Sequence, residues 1–261
     1  MGDYMKNRIG EINYNTFGSE MIITKYRKYS DVDIYFPEYN WTFKNARYGD
    51  FKNGNVRCPY EPRVLNKGYL GEGEYKVREN NKNTKVYNTW HNMLMRCYSD
   101  KYHDEKNTYI YCEAEEYLLN FQNFGKWYSE NYYEVEGEQM HLDKDILCKG
   151  NKIYNRENMI FVPERINTLF IKSDKIRGHC PIGVHYHKQS DKYTCSCKKY
   201  DFVNKRQIDK YLGIYDTEVE AFEVYKYYKE QNIKEVADYY KGRIPDKLYQ
   251  AMYNYEVEIN D

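Results

Sequence analysis

The pattern of apolar and polar positions is most informative over residues 141–170, which read HLDKDILCKGNKIYNRENMIFVPERINTLF. Apolar and polar residues alternate over 142–146, which predicts a half-buried strand. Gly and Asn at 150–151 then break the alternation, and the apolar run at 159–162 predicts a returning strand. A proline ends that strand, and residues 164–170 are typical of a helix, since proline is tolerated at a helix start. This stretch therefore predicts strand, turn, strand and helix in succession.

Upstream of this unit, the pattern predicts a small β-rich module over residues 1–78. Residues 21–26 and 32–36 have strand composition, and glycines and prolines separate these runs. Residues 68–83 are glycine-rich and then polar, which predicts a linker. The basic side chains of the module either contact nucleic acid or form a solvated strand face, and the solvated face is the stronger interpretation: Lys25, Arg27, Lys28, Lys44, Arg47 and Lys52.

Residues 84–139 show helical spacing of apolar side chains. One predicted helix carries Trp90, Met93, Leu94 and Cys97 on one face, and a second carries Tyr117, Leu118, Phe121, Phe124, Trp127 and Tyr128. An aromatic stripe at this spacing is more often core than a stacking platform for bases. Between residues 113 and 138 there are seven Glu and one Lys, a net charge of −6, so this face should not lie on DNA phosphates.

The pattern changes again after residue 181. Alternation at 183–188 and 192–198, with a polar turn between, predicts a hairpin, and 208–215 predicts a third strand. Thr217 is a plausible cap of a following helix, because Glu220 lies three residues on. Alternation directs Val184, Tyr186 and the cysteines of the second strand inward. It directs another set outward: His185, His187, Thr194, Ser196, Lys198 and Tyr211.

Composition limits the class of protein. Of the 261 residues, 41% are hydrophobic, but 33 residues are Tyr, which favours small modules with amphipathic packing. No apolar run approaches the ~20 residues of a membrane span, and no signal-peptide segment is evident, so we expect a cytoplasmic protein without a membrane partner. The seven cysteines form no CxxC pair, and the outward histidines and inward cysteines of the C-terminal hairpin lie on opposite faces, which argues against zinc.

Oxygen-bearing side chains suggest a metal site in the central unit. Asp143, Asn158 and Asn167 come from three successive predicted elements. Carboxylate and amide oxygens are ligands of hard divalent cations. An ordinary strand-end acid is the alternative for Asp143.

The segments YNTWHNMLMRCY, YLLNFQNFGKW, LDKDIL, GNKIYNRENMIFVP and INTLF, over residues 84–170, resemble a phage branch of the HNH endonucleases. The resemblance implies a ββα-metal unit that hydrolyses phosphodiesters with a divalent cation, Mg²⁺ or Mn²⁺. By position it implies that Asp143 and Asn167 bind the metal and that Asn158 braces the loop.

The chain departs from that family at Lys144, which stands where a general-base histidine is expected. A lysine near its ordinary pKa of ~10.4 is protonated at neutral pH and cannot accept a proton from water. Three alternatives follow. In the first, Lys144 contacts phosphate while a metal-bound water attacks; in the second, His141, on the same strand face as Asp143, serves as the base. In the third, the site is inactive and leaves a DNA-binding scaffold.

The segments GVHYHK, KYTCSCK and YLGIYDTEVEAFEVYK, within residues 181–255, are similar to the AP2-like DNA-binding domain. That resemblance implies a three-stranded sheet packed on a helix, with the outward set of side chains contacting duplex DNA. Residues 172–210 carry ten Lys or Arg and four Asp, a net charge of +6, although the 40 basic and 40 acidic residues of the chain balance.

Together these patterns predict an α+β protein with a β-rich module at 1–78, an HNH-like ββα-metal domain at 84–172 and an AP2-like domain at 181–258. The predicted function is a metal-dependent endonuclease on double-stranded DNA, similar to phage homing endonucleases. The alternatives are a catalytically inactive, regulatory DNA-binding protein and, with less support, a protein-interaction module using the acidic helical face. A bacterial host's cytoplasm is the expected location if the chain is phage-encoded. The sequence does not specify the target site, the oligomeric state, or whether one or both DNA strands are cut.

Overall fold

The computed structural model of the protein describes residues 8–170, 179–204 and 206–259. Helices and several small, mostly antiparallel sheets alternate along the chain, so the fold class is α+β, as predicted. The chain divides into two compact units. One comprises Met1–Asn131 and Lys152–Arg156, and the other comprises Tyr132–Asn151 and Glu157–Asp261. The predicted boundaries of the three domains stay predictions.

The first unit begins with a four-stranded antiparallel sheet in the order β1-β2-β3-β4. Its elements are β1 (Ile12–Tyr14), β2 (Glu20–Lys28), β3 (Asp31–Phe36), β4 (Trp41–Ala46) and the short helix α1 (Tyr48–Lys52). Alternate side chains of β2 and β3, among them Met21, Ile23 and Ile34, form the core of this module. A β-rich module is therefore confirmed. Arg27 pairs with Asp31 and with the buried Asp33, both at 2.9 Å, so this basic residue serves the module itself.

The segment predicted as a linker, residues 68–83, is instead packed and hydrogen-bonded. The backbone amide of Tyr69 donates to the Leu119 carbonyl at 3.0 Å, and the Gln122 side chain donates to the Tyr75 carbonyl at 3.0 Å. A Cβ at Gly68 would lie 2.8 Å from the Trp90 ring, so glycine is needed here for close packing. The segment ends in a two-stranded hairpin of β5 (Arg78–Glu79) and β6 (Lys82–Asn83). The prediction of a linker is wrong.

Helices complete the first unit. They are α2 (Lys85–Tyr98), α3 (Asp100–Glu105), α4 (Glu116–Leu119) and α5 (Phe121–Asn131), and the short strands β7 (Glu113–Ala114) and β9 (Ile153–Tyr154) pair in parallel. The predicted apolar face of α2 is buried at all four positions, and three aromatic residues of α5 are also buried, which confirms that the stripe is core. The second predicted helix is in fact two helices, because Asn120 takes an extended conformation between them.

The second unit opens with an antiparallel pair of strands and a short helix. Strand β8 (Met140–Asp143) pairs with β10 (Ile160–Pro163), and α6 (Glu164–Leu169) follows β10 directly and packs on both strands. The second strand and the helix lie within one residue of the predicted bounds, whereas β8 ends three residues before the predicted end at Ile146. The connection between the strands, residues 144–159, is 16 residues long and contains β9, so it is not a tight hairpin.

The rest of the second unit is a three-stranded antiparallel sheet and two helices. The strands are β11 (Val184–His187), β12 (Lys192–Asp201) and β13 (Arg206–Tyr215), followed by α7 (Glu218–Tyr240) and α8 (Asp246–Tyr253). Val184, Cys195 and Cys197 face α7 and are buried, as predicted. Thr217 caps α7 in a capping box with Glu220, which is also confirmed.

No helix within the described ranges has both the length and the apolar character that a membrane crossing requires.

Candidate functional site

Asp143 is the last residue of β8, and its carboxylate shapes the chain that follows. Its Oδ1 accepts hydrogen bonds from the backbone amides of Asp145 at 2.9 Å and Ile146 at 2.7 Å. These bonds end the strand and start the loop, as Asx turns do. Within the described chain, Oδ2 makes no hydrogen bond. One carboxylate oxygen is therefore structural and the other is available to a ligand.

The surroundings of Asp143 disfavour its charge. Burial, together with repulsion from Asp145, raises the pKa of the Asp143 carboxyl to about 6, although the two backbone amides and Lys144 oppose the shift. A carboxylate with a raised pKa and a free oxygen is stabilised by a cation. Perturbed groups of this kind are more frequent at functional sites than elsewhere.

His141 lies on the same face of the strand pair as Asp143. The register pairs His141 with Val162 and Asp143 with Ile160, and paired residues point to the same side. Val162 and Ile160 belong to the core that includes Ile166 of α6, so this is the face that the helix covers. The Nε2 atom of His141 is buried there and has no hydrogen-bond partner in the described structure. A buried, unpartnered polar atom calls for a functional or solvent explanation.

Lys144 points away from that face and is used inside the loop. The residue is 5% exposed, and its ammonium donates to the Asn151 carbonyl at 2.9 Å and pairs with Asp145 at 3.2 Å. In return, the Asn151 side chain donates to the Lys144 carbonyl at 2.7 Å. This reciprocal clasp holds both ends of residues 144–151 together. The ammonium is not presented to a phosphate in this conformation.

The two amides of the predicted site lie on the elements that flank the strand pair. Asn158 precedes β10 by two residues and is half-buried. Asn167 lies in α6, next to the buried Ile166, and is also half-buried. Asp143, His141 and Asn167 thus belong to one small β–β–helix arrangement. Sequence reasoning named these residues, and it did not foresee the bonds of Lys144 to Asn151.

The donor atoms of these side chains decide whether they suit a divalent cation. Asp143 offers one free carboxylate oxygen, Asn167 an amide oxygen and His141 an unpartnered ring nitrogen. Mg²⁺ and Mn²⁺ accept a few oxygen ligands of this kind from a protein and complete their shell with water and substrate phosphate. The described residues contain no cluster of three or more His, Cys, Asp and Glu. Asp143 and Asn167 supply oxygen donors of the kind that Mg²⁺ accepts, and Mg²⁺ sites in proteins often use only one or two carboxylates.

The C-terminal sheet brings the second set of predicted residues together. The register pairs His185 with Thr194, and Ser196 with Tyr211. Strand alternation then places all six predicted residues on the face opposite the core: His185, His187, Thr194, Ser196, Lys198 and Tyr211. Tyr211 is 62% exposed. This polar face can donate hydrogen bonds and carries positive charge.

Three features of the sheet were not anticipated from sequence. Tyr186 is 46% exposed and packs on Tyr193 of the neighbouring strand, with ring centroids 5.5 Å apart, so its predicted burial against the helix is wrong. Asp209 pairs with Lys198 across the strands and places an acid on the polar face. Arg165 of α6 lies over the Tyr200 ring at 3.8 Å, which joins α6 to β12. A helical arginine gives no periodic signal of such a contact.

No family model, curated protein or solved structure matches the chain.

Proposed function

We propose that this protein is a metal-dependent DNA endonuclease of the HNH type, with the C-terminal sheet as its DNA-binding element. One observation supports the proposal most. The helix-covered face of the β8–β10 pair presents a carboxylate with a free oxygen, Asp143, beside the buried, unpartnered Nε2 of His141. A purely structural strand pair has no need of either feature.

Asp143 and Asn167 are the proposed ligands of a divalent cation, Mg²⁺ or Mn²⁺. A bound cation would neutralise charge on the scissile phosphate and on the leaving oxygen. Asp143 is held in a single orientation by its two backbone amide bonds, so its free oxygen is positioned before any ligand arrives. Asn158, at the entrance to β10, fixes the end of the loop in this scheme.

His141 is the proposed proton acceptor, and Lys144 is a positioning residue. The buried ammonium of Lys144 is a donor only, so it cannot take a proton from water. His141 has a ring nitrogen that nothing in the described chain occupies, on the face that carries Asp143. Lys144 acts through the loop, by holding Asn151 and hence the shape of the chain next to Asp143.

A plasmid nicking assay in Mg²⁺ and in Mn²⁺ tests the proposal. We expect metal-dependent cleavage by the wild type, loss of cleavage in Asp143→Ala, and a loss of 10²-fold or more in His141→Ala, because general bases contribute about this much. Glu164→Gln, an exposed acid at the start of α6, is the matched control and should cut like wild type. Duplex binding without cleavage under every metal would reject the nuclease.

A DNA-binding protein without nuclease activity is the second candidate. The observation that favours it is the burial of Lys144 at the position where the resembled family has its base. In that case His141→Ala would leave every measurable property of the DNA complex unchanged. Double substitution of His187 and Lys198 to Ala should weaken duplex binding under either candidate.

A further inference from the structure

A pocket of about 490 Å³ lies between α6, strand β12 and helix α7. Its volume is in the range of small-ligand sites, about 300–1,000 Å³. The residues that matter below are part of its lining: Arg165, His185, Ser196, Lys198 and Lys229. Three of them also belong to the polar face of the sheet, so the pocket adjoins the proposed DNA-binding surface.

The pocket is positively charged, and its three cationic side chains differ in whether an acidic side chain lies beside them. Arg165 pairs with Glu138 at 3.4 Å and lies over Tyr200. Lys198 has Asp209, the acid of the pocket lining, as its cross-strand neighbour. Lys229 makes no ion pair and no hydrogen bond within the described residues. Lys229 is therefore the cation that this part of the chain leaves without an acid.

Lys229 is half-buried, and its partial desolvation lowers the pKa of its ammonium. Burying an ammonium without a partner is costly, and the cost is relieved when an anion binds. The α7 helix is fixed beside β12 one turn later, where the 2%-exposed Asn232 donates to the Lys198 carbonyl at 3.3 Å. Lys229 and Lys198 both line this pocket, together with the hydroxyl-bearing Ser196 and with His185.

We infer that this pocket binds a nucleotide phosphate, with Lys229 as its central cation and Arg165, Lys198 and His185 around it. The inference rests on the proposed function, because it adds a phosphate site on α6 and α7 to a DNA-binding surface assigned to the sheet. The phosphate comes from the backbone of duplex DNA or from a free nucleotide. Both present the same anion, and the experiment separates them.

The test compares Lys229→Met with Lys226→Met in the full-length protein. Lys226 lies on the same helix outside the pocket and pairs with Glu230 at 3.9 Å, so it is a matched control. Duplex affinity is measured by fluorescence anisotropy from 0.05 to 0.5 M salt. One phosphate contact contributes about 0.9 to the slope of log affinity against log salt, so Lys229→Met should reduce the slope by about 0.9 and weaken binding about eightfold at 0.1 M salt.

Stability measurements separate a binding role from a structural one. Lys229→Met removes a desolvated charge and should melt at or above the wild-type temperature. Lys229→Arg keeps the charge and should bind duplex within about twofold of wild type. If Lys229→Met binds duplex with the same affinity and salt slope as the wild type, the inference is overturned and the proposed function stays intact.

The second arm uses deoxyadenosine monophosphate and isothermal titration. If the wild type binds no duplex, the proposed function fails and this arm decides about the pocket. Binding of the mononucleotide that is lost in Lys229→Met and kept in Lys226→Met supports a free-nucleotide site. Absence of both duplex and mononucleotide binding overturns the inference.

Discussion

Asp143→Asn should stabilise the metal-free protein at neutral pH. Asparagine keeps a carbonyl oxygen that can accept the two amide bonds of Asp145 and Ile146, but it cannot ionise. The wild-type carboxyl ionises with a pKa of about 6 in the folded protein, whereas an unperturbed aspartate has a pKa of 3.8. The substitution therefore removes the unfavourable charge and leaves the turn that the side chain supports.

The sign and size follow from proton linkage. The folded state holds a proton on Asp143 between pH 3.8 and about 6, where the unfolded state has lost it, so folding stability falls as pH rises through this window. About two pKa units correspond to about 3 kcal/mol. Above pH 6 the wild type should thus be less stable than Asp143→Asn by about 3 kcal/mol. Below pH 4 the two proteins should be equally stable.

Urea unfolding in a chelator, followed by far-ultraviolet circular dichroism, measures this difference. The helical signal is appropriate because α7, at 23 residues, shares a core with the strand that carries Asp143. Asp209→Asn, on the exposed strand β13, is the control and should not change the pH dependence. Adding Mg²⁺ should stabilise the wild type and not Asp143→Asn. An equal difference between the two proteins at pH 4 and pH 8 would refute the reasoning.

Three further substitutions test the packing described above. Gly68→Ala should destabilise the first unit by about 1–3 kcal/mol, because the added methyl would overlap Leu94 and Trp90. Urea unfolding followed by tryptophan fluorescence measures this loss, and an unchanged unfolding curve would contradict the close packing of residues 68–83. Lys144→Met should lower the free energy of unfolding by about 1–3 kcal/mol and speed proteolysis within residues 144–151, since the Asn151 carbonyl loses its donor. A loop that stays resistant to protease would show that the bonds between Lys144 and Asn151 are dispensable. Thr217→Ala should lower the free energy of thermal unfolding by about 1 kcal/mol, and Thr217→Ser should lower it much less, because serine restores the helix cap. Equal losses in the two variants would assign the effect to the methyl group of Thr217.

Elements with strong periodicity were predictable from sequence. The buried face of α2, the capping box of α7 and the inward cysteines of β12 each follow from one repeating pattern. The polar face of the C-terminal sheet was predictable for the same reason, because a period of two assigns every residue of a strand once one residue is assigned. Residues 68–83 were misread because glycine marks both flexible turns and close packing, and sequence alone does not separate these uses.

The elements that carry the candidate residues were predictable from sequence, and the contacts of their side chains were not. Lysine is rarely buried, and the burial of Lys144 is explained only by the loop that brings Asn151 back to it. Lys229 gave no signal, since a lysine in an amphipathic helix is ordinarily solvated. Its position became informative only when α7 was found packed against β12, with Asn232 bonded to that strand. Long-range packing, which periodicity does not encode, determines both cases.

The hydrophobic core of the second unit links the proposed metal site to the C-terminal helices. Ile160, Val162 and Ile166, from the β8–β10 pair and α6, pack in the same cluster as residues of α7 and α8. Glu138 adds a polar link, since its Oε1 accepts from Tyr240 of α7 at 2.7 Å and pairs with Arg165 of α6. Because α6 also carries Asn167, the position of a proposed metal ligand depends on the helix that supports the proposed DNA-binding sheet. The shared core and the bond between Glu138 and Tyr240 therefore hold the proposed metal site and the helix beneath the proposed DNA-binding sheet in one packed body.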